Sequence, residues 1–233
     1  MSRERVLVTG GAAGIGAAIA DRCRADGYET ITLDRRGGDI NVDVTDITST
    51  LRLIEEALQD GPITRLVNNV GAVRHASVAD QTEREMRESW DLNVQSALTC
   101  LQPLLPGMKE NHFGRVVNMS SRASLGKPLR TAYAGTKAAL IGMSRVWALE
   151  LGAHGITVNA VAPGPIKTQL FEDANPEGSP LTESIINSIP VGRMGEPSDI
   201  AQATSFFLDD ASSFVTGQTL YVCGGLTVGT NPI

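Results

Sequence analysis

The segment VLVTGGAAGIG, residues 6–16, places glycines between a short apolar run and the start of a helical pattern. Glycine at positions 10, 14 and 16 would let the backbone approach a pyrophosphate, which binds at the positive end of a helix dipole. The alternative is a tight turn between a strand and a helix, without a ligand. Because the segment has the strand, turn and helix order of the dinucleotide-binding fingerprint, it predicts an α/β fold with a nucleotide site at this turn.

The rest of the chain repeats the alternation that begins there. Short apolar runs rich in Val, Ile and Leu recur between segments of helical period, and such strands are typical of a parallel sheet that is covered on both faces. We therefore predict a single-domain Rossmann fold over residues 1–233, a doubly wound and mainly parallel sheet with helices on both faces. The runs are RVLVTG, YETITLD, DINVDV, TRLVNNVG, GRVVNMS, GITVNAVAPG and QTLYVCGG.

Two connections depart from this regular pattern. Residues 35–42, RRGGDINV, are too few for a crossover helix, which predicts a tight link between the second and third strands. The stretch 165–199 has no clear period and is rich in Pro and Gly. A long irregular segment in a compact domain is usually a lid or a binding loop, so residues 165–190 are the predicted substrate loop.

Composition excludes several classes of function. The net charge of −6 and the isoelectric point near 5.1 argue against a nucleic-acid surface. The chain shows neither a signal-peptide pattern nor an apolar run long enough to cross a membrane, which requires about 20 residues. Its three cysteines lack the spacing of metal ligands and fit reduced thiols. These features predict a cytoplasmic protein without a metal, a nucleic-acid partner or a membrane partner.

The end of the second predicted strand suggests which nucleotide binds. Asp34 stands where a carboxylate accepts hydrogen bonds from the adenosine ribose of NAD, and it would repel the 2′-phosphate of NADP. Arg35 and Arg36 complicate this choice, because a guanidinium beside the ribose is how a 2′-phosphate is accommodated. They could instead be solvated, or Arg35 could stack on the adenine. We predict NAD in preference to NADP.

Tyr133 and Lys137 are four positions apart in TAYAGTKAAL, residues 131–140, so they lie on one face of a predicted helix. An ammonium near a phenol favours the phenolate, and we expect the pKa of Tyr133 to fall from about 10 towards the working pH. A chance pair on a surface helix is the alternative. The helix follows a strand, NMSS, whose carboxyl end is the edge where ligands bind in open α/β sheets, so we predict an acid/base tyrosine.

Taken together, these motifs resemble those of the short-chain dehydrogenase/reductase family of the classical type, over essentially the whole chain. The resemblance rests on TGGAAGIG, NNVG, the Asn of SWDLNVQSAL, NMSS, YAGTK, PGPIKT, GEPSDIA and TGQTLYVCGG. It implies a hydride transfer between a nicotinamide and a secondary alcohol or ketone. The implied catalytic set is Asn93, Ser120, Tyr133 and Lys137. In this set Ser120, thirteen positions before Tyr133, donates a hydrogen bond to the substrate oxygen. Its neighbour Ser121 is easily confused with it.

Asn93 is a helix-interior amide, for which helix propensity gives no reason. The resemblance implies that it kinks its helix and anchors a water that relays protons to Lys137, whereas the alternative is a buried amide that fixes local backbone. The resemblance also implies a set of cofactor-binding residues, in which Val70 replaces the more usual Ala and Cys223 stands where relatives often have Asp. That set is Gly10, Gly14, Ile15, Gly16, Asp34, Arg35, Asp43, Val44, Asn69, Val70, Gly71, Tyr133, Lys137, Pro163, Gly164, Ile166 and Thr168.

The substrate is less well defined by the sequence. The tail is similar to that of 3-oxoacyl-carrier-protein reductases, which makes ketone reduction on such substrates the alternative to NAD-dependent oxidation of a secondary alcohol. The basic residues Arg122, Lys127, Arg130 and Lys167 favour an anionic substrate or an acyl carrier, although solvated side chains would also explain them. A cofactor-binding regulatory protein that lost the chemistry is the non-enzyme alternative.

Family members form tetramers through paired helices, so the resemblance implies a homotetramer. The apolar residues that we expect at such an interface are Trp90, Leu98, Leu101, Trp147 and Leu151, with packing inside one subunit as the alternative.

Overall fold

Seven parallel strands form one sheet in the computed structural model of the protein, which describes residues 4–169, 171 and 178–229. Every run that the sequence predicts as a strand is a strand of this sheet. The strands are β1 (Arg5–Thr9), β2 (Glu29–Asp34), β3 (Ile40–Asn41), β4 (Arg65–Asn68), β5 (Gly114–Met119), β6 (Ile156–Pro163) and β7 (Thr219–Val222).

The strand order is β3-β2-β1-β4-β5-β6-β7. The chain runs outwards from β1 to β3 and then returns to add β4 on the other side of β1, so the order reverses between β1 and β4. In open α/β sheets a ligand binds in the crevice at such a reversal, outside the carboxyl ends of the strands. The predicted Rossmann fold is therefore confirmed, and the glycine-rich segment lies at the reversal point.

Eight α-helices are described, and they cover both faces of the sheet. They are α1 (Gly14–Ala25), α2 (Ile47–Leu58), α3 (Glu83–Trp90), α4 (Ser96–Leu101), α5 (Leu105–Glu110), α6 (Thr131–Leu151), α7 (Pro180–Asn187) and α8 (Pro197–Leu208). The side chains of β1 alternate between the two faces of the sheet and pack against the helices on both sides. Leu7 packs in the core that contains α2, α4 and α6, whereas Val6 and Val8 pack in the core that contains α1 and α8.

The link between β2 and β3 is as short as predicted. Residues 35–39 turn the chain back so that β3 pairs parallel to β2, with Leu33 opposite Ile40. A parallel connection normally needs a dozen or more residues. The much shorter connection is possible here because β3 has only two residues and because Asp39 holds the link to β2. The Asp39 carboxylate accepts hydrogen bonds from the backbone N–H and the hydroxyl of Thr32, at 2.8 and 2.7 Å.

The predicted helix that contains Asn93 lies in a stretch, residues 83–111, that forms several helical pieces and not one continuous helix. A π-helical segment, Asp91–Gln95, separates α3 from α4, and a 3-10 turn, Gln102–Leu104, precedes α5. Pro103 and Pro106 lack the N–H that a continuous helix would need. Within the stretch that the sequence leaves without a period, α7 forms because the Ser179 side chain caps its first turn and Pro180 follows. Residues 170 and 172–177 of the predicted substrate loop lie outside the described residues.

The apolar residues that we expect at a subunit interface are mostly not available for it. Leu101, Trp147 and Leu151 are buried in the core of their own subunit, and Leu98 packs against that core. Trp90 is exposed, as predicted. On α6, the large apolar side chains that are exposed are those of Val146 and Leu149, of which Leu149 is 86% exposed. The apolar residues of α6 point both inwards and outwards, so composition alone does not identify the outer face.

Candidate active site

The glycine-rich loop leaves no space for side chains where the backbone must approach a ligand. Gly10 and Gly14 have φ values of +65° and +54°, which favour glycine. A Cβ at Gly16 would overlap the carbonyl oxygen of Gly10, so the start of α1 packs directly on the loop. Ile15 completes this first turn. The loop therefore has the cradle that a pyrophosphate requires, at the amino end of a twelve-residue helix.

The segment after β4 is held against this loop by Thr9, which sequence analysis did not identify. The Thr9 hydroxyl accepts hydrogen bonds from the backbone N–H groups of Asn69 and Val70, at 3.0 and 3.2 Å. The Asn69 amide donates to the carbonyls of Thr9 and Gly10, each at 3.1 Å. The predicted residues on β1 and β4 are thus brought together across the strand-order reversal.

Asp34 ends β2 beside the glycine-rich loop, as predicted. Its carboxylate accepts hydrogen bonds from the backbone N–H of Ala12 at 3.1 Å and of Arg35 at 2.7 Å, which fixes its orientation. Hydrogen bonds from Thr45 lower the pKa of Asp43, and the charge of Arg35 lowers it further. The positive charge of Arg35 is therefore near enough to act on the Asp43 carboxylate. Val44, the remaining predicted residue here, is buried.

The loop after β6 lies opposite the glycine-rich loop. A Cβ at Gly14 would lie 3.6 Å from the methyl carbon of Thr168, which shows that the two loops are neighbours. Pro163 ends β6, and Ile166 is buried. A Cβ at Gly164 would lie 2.7 Å from the Cα of Cys223, so this glycine lets the loop pack on the segment after β7. Cys223 is buried, and its sulfur lies 3.3 Å from the Thr227 hydroxyl.

Tyr133 and Lys137 share one face of α6, as the spacing predicts. The Nζ of Lys137 lies 5.8 Å from the centre of the Tyr133 ring. Lys137 is 3% exposed, and its Nζ donates a 2.7 Å hydrogen bond to the carbonyl of Met119 at the end of β5. A Cβ at Gly71 would lie 2.9 Å from this Nζ. The phenol and the amine therefore sit at the carboxyl ends of β4 and β5.

The expected electrostatics of this pair are corrected by the structure. Burial raises the pKa of Tyr133 above its ordinary value of 10, although a hydrogen bond with Ser121 and the charge of Arg130 lower it. Lys137 is not among the groups that lower the pKa of the phenol. Burial also lowers the pKa of Lys137 to about 8, because removal from water penalises the ammonium. Burial thus favours the uncharged form of both side chains more than the sequence suggests.

The hydroxyl of Ser120, the serine predicted to contact the substrate, is directed to the protein backbone. Ser120 is 3% exposed, and its hydroxyl donates a 2.7 Å hydrogen bond to the backbone carbonyl of Lys137. Ser121 is the serine whose side chain is near enough to lower the pKa of Tyr133. Its Oγ also accepts from the N–H of Ala123, which starts the 3-10 turn Arg122–Leu125. The Ser120 hydroxyl therefore binds the backbone of α6, whereas the Ser121 side chain lies near the phenol of Tyr133.

Asn93 is buried within the π-helical segment and ties three parts of the site together. Its carbonyl oxygen accepts from the N–H of Ala72 at 3.0 Å, and its amide nitrogen donates to Thr136 at 3.0 Å. Thr136 in turn donates to the carbonyl of Tyr133 at 2.8 Å. The alternative of an amide that fixes local backbone is thus realised, and the π-helical segment supplies the predicted break in the helix. Thr136, which the sequence analysis passed over, links Asn93 to the turn that carries Tyr133.

The mouth of the site carries several basic residues. Arg122, Lys127 and Arg130 form no ion pair with any residue in the described part of the chain. Burial lowers the pKa values of Lys127 and Arg130, and the charge of Arg122 lowers that of Lys127 further. Segment 122–130, which we call the basic loop, therefore holds partly desolvated positive charge next to Tyr133.

No helix among residues 4–169 and 178–229 has the length and apolar character needed to cross a membrane. Within the same ranges, His, Cys, Asp and Glu side chains do not assemble into a group of three or more that could hold a metal ion.

Comparison with known proteins shows what the chain is similar to. A family model described as enoyl-(acyl carrier protein) reductase matches residues 10–227. The (2S)-[(R)-hydroxy(phenyl)methyl]succinyl-CoA dehydrogenase subunit BbsD of Thauera aromatica is 35% identical, over 94% of each chain. The 3-oxoacyl-[acyl-carrier-protein] reductase FabG of Haemophilus influenzae is 36% identical, over 97% of this chain and 99% of the relative.

Two further similar proteins are named as a reductase and as an oxidoreductase. The acetoacetyl-CoA reductase of Rhizobium meliloti is 36% identical, over 97% of this chain and 98% of the relative. Among solved structures, an oxidoreductase of the short chain dehydrogenase/reductase family from Burkholderia thailandensis superimposes with a TM-score of 0.89 at 28% identity, covering 99% of this chain and 95% of the other.

Proposed function

The chain belongs to the short-chain dehydrogenase/reductase family and is an NAD(P)-dependent oxidoreductase of alcohols and ketones, and we propose that Tyr133, Lys137, Ser121 and Asn93 carry this chemistry. The observation that supports the proposal best is that the Tyr133 phenol, the Lys137 amine and the Ser121 hydroxyl meet at the carboxyl ends of β4 and β5. Ser121 takes the role that the sequence analysis gives to Ser120.

The residues divide the work as follows. Tyr133 exchanges a proton with the substrate oxygen, and the Ser121 hydroxyl donates a hydrogen bond to the same oxygen as its negative charge grows. The bound nicotinamide accepts or supplies the hydride. Because burial keeps the phenol protonated, Tyr133 is ready to protonate a ketone, whereas alcohol oxidation first requires its deprotonation. Lys137 would hold the ribose hydroxyls of the cofactor, and Asn93 fixes Ala72 and Thr136 through its side-chain hydrogen bonds.

We further propose that the preferred cofactor is NAD rather than NADP, held by the predicted set from Gly10 to Thr168. Asp34 supports this preference because its carboxylate is fixed at the end of β2 and would repel a 2′-phosphate. The positive charge of Arg35 acts on Asp43, another residue of the predicted cofactor-binding set, so Arg35 is a second candidate contact for the adenosine.

The test is spectrophotometric. NADH formation is followed with a panel of secondary alcohols, and NADH consumption with the matching ketones. Tyr133→Phe should lower turnover about 100-fold or more, since general acid–base catalysis contributes about 10² to 10⁴. NADH binding, measured by nicotinamide fluorescence, should persist in this variant. Unchanged turnover would show that the phenol does not transfer the proton.

A second candidate function is the reduction of 3-oxoacyl thioesters. The names of the relatives refer to acyl-carrier-protein and CoA derivatives, and the basic loop offers positive charge for an anionic substrate. Acetoacetyl-CoA with NADH or NADPH is the direct probe. If the basic loop binds the anionic part, Lys127→Gln and Arg130→Gln should raise KM for acetoacetyl-CoA and leave KM for neutral ketones unchanged. Arg145→Gln, on the exposed side of α6, is the matched control.

The assembly and location are also part of the proposal. We propose a homotetramer in which Trp90, Val146 and Leu149 lie at a helix-paired interface, because a contact between subunits would cover these exposed apolar side chains. We propose a cytoplasmic location, because the three cysteines in the described part of the chain are buried free thiols.

A further inference from the structure

The shortened link between β2 and β3 carries a contact that the proposed chemistry does not use. The Asp39 carboxylate accepts hydrogen bonds from the N–H and the hydroxyl of Thr32, at 2.8 and 2.7 Å, and the Asp39 N–H donates back to the Thr32 hydroxyl at 3.0 Å. We call these three hydrogen bonds the Thr32–Asp39 clasp. Thr32 is 5% exposed within the sheet, so the clasp ties a surface loop to a rigid strand.

The clasp sits directly behind the nucleotide-binding loop. A Cβ at Gly11 would lie 2.7 Å from the Thr32 methyl carbon, so the back of Thr32 supports the glycine-rich loop. A Cβ at Gly38 would lie 2.9 Å from the backbone nitrogen of Asp34, which shows how closely the link folds on the end of β2. A Cβ at Gly37 would lie 3.6 Å from that of Ala12. The link is therefore folded back so that Gly37 lies next to Ala12 and Gly38 packs on the end of β2.

The same arrangement fixes the residue that selects the nucleotide. Ala12, against which the link folds, donates its backbone N–H to the Asp34 carboxylate. With the link closed, the charge of Arg35 acts on Asp43. Freed from the clasp, residues 35–38 could swing outwards and bring Arg35 or Arg36 to the ribose, where a guanidinium accommodates a 2′-phosphate.

We infer that Thr32 and Asp39 are positioning residues for nucleotide selectivity, which hold the link that carries Arg35 and Arg36 in the folded-back position that leaves the Asp34 carboxylate to meet the ribose, and so favour NAD over NADP. This inference rests on the proposed binding of the adenosine ribose at Asp34. It predicts that opening the clasp weakens NADH binding and strengthens NADPH binding, which shifts the ratio of the two affinities. A purely structural role would instead weaken both nucleotides by the same factor.

The test uses binding and needs no substrate. Dissociation constants for NADH and NADPH are measured by nicotinamide fluorescence on the full chain. Thr32→Val keeps the methyl contact with Gly11 and the net charge but removes the hydroxyl, and Asp39→Asn weakens the same contacts from the other side. Each should shift the affinity ratio at least fivefold towards NADPH. Thr32→Ser, which keeps the hydroxyl, and Asp60→Asn, which removes an exposed charge at the end of α2, should leave the ratio unchanged.

The outcomes separate the two proposals. If the wild-type protein binds NADPH more tightly than NADH, the proposed preference for NAD is wrong, and the clasp is still judged from the shift in Thr32→Val. If Thr32→Val and Asp39→Asn leave the ratio where it is, or change both affinities equally, the inference about the clasp is overturned. Melting temperatures, measured in parallel, show whether a variant has lost its fold.

Discussion

The Nζ of Lys137 lies 5.8 Å from the ring centre of Tyr133 and is hydrogen-bonded to the Met119 carbonyl at 2.7 Å. The amine thus lies beneath the ring, bound to backbone at the end of β5, and does not form an ion pair with the phenol. Burial acts on both groups, because it raises the pKa of Tyr133 and lowers that of Lys137. The groups that favour the phenolate in this arrangement are Ser121 and Arg130.

The contact between Ser121 and Tyr133 predicts different effects for two adjacent serines. Ser121→Ala should raise the pKa of Tyr133 further, since it removes a hydrogen-bond donor that favours the phenolate. Ser120→Ala should raise it far less, because the Ser120 hydroxyl is directed to the Lys137 carbonyl. Tyrosinate absorbance as a function of pH measures the pKa of Tyr133. The absorbance of the same protein with the additional substitution Tyr133→Phe is subtracted, which removes the contributions of Tyr28 and Tyr221. Equal shifts in the two variants would contradict the assignment of Ser121.

Gly71 leaves the space in which the Lys137 amine lies. Gly71→Ala should therefore lower turnover strongly and stability only slightly. The added Cβ would lie 2.9 Å from Nζ and 3.2 Å from the Asn93 carbonyl oxygen. The amine ends a flexible chain and can move away, so the melting temperature should fall only slightly. A displacement near 1 Å in an active site costs about 100-fold in rate, and we expect turnover to fall about 10- to 100-fold. Turnover at the wild-type level would show that the position of the amine is not critical.

Sequence patterns were sufficient for the features that depend on spacing along the chain. The glycine-rich loop, the carboxylate that ends β2 and the shared face of Tyr133 and Lys137 follow from the periods of a strand and a helix, and the structure places them as expected. The short link after Asp34 was also predicted from length alone. The clasp inside this link was not, because it depends on which side chains meet across the turn.

The features that were missed depend on the direction of a side chain or on its surroundings. Ser120 and Ser121 follow β5, and successive residues of an extended chain point to opposite sides, so a count of thirteen positions cannot choose between them. The expected pKa of Tyr133 considered a neighbouring charge but not burial, which is the largest cause of its shift. Arg65 is fully buried between the rings of Tyr28 and Phe113, at 4.5 and 4.6 Å, although arginine is a residue expected at the surface.

The exposed residues of α6 predict how the proposed tetramer can be broken. Leu149→Arg places a charge on a side chain that is 86% exposed in the single chain, so the fold of a subunit should tolerate it. At a subunit interface the buried charge would be costly. Light scattering should therefore give about four times the chain mass of 24.7 kDa for the wild type and a smaller assembly for the variant. Lys109→Glu, on the exposed side of α5, is the control. A wild-type mass near that of one chain would contradict the proposal.

The lowered pKa of Lys137 predicts how the stability of the fold depends on pH. Burial lowers this pKa from 10.5 to about 8, so between these values the unfolded chain binds more protons than the folded one. Stability from this group should therefore rise with pH across that window, by at most about 1.4 kcal/mol per pH unit, and level off above it. Below pH 8 both states carry the proton, and the cost of burying the ammonium is present in full.

Lys137→Met isolates this contribution. Burial raises the pKa values of Cys23 and Cys100 from 9.0 to about 12, which should lower stability at high pH, but this effect is common to both proteins. The free energy of unfolding of the wild type minus that of Lys137→Met should therefore increase as the pH rises from 8 to 10. Urea titrations at several pH values measure the difference at one protein concentration, because assembly affects apparent stability. If the two curves run parallel, the folded protein holds the Lys137 proton as tightly as the unfolded chain, and the burial of its charge has no energetic consequence.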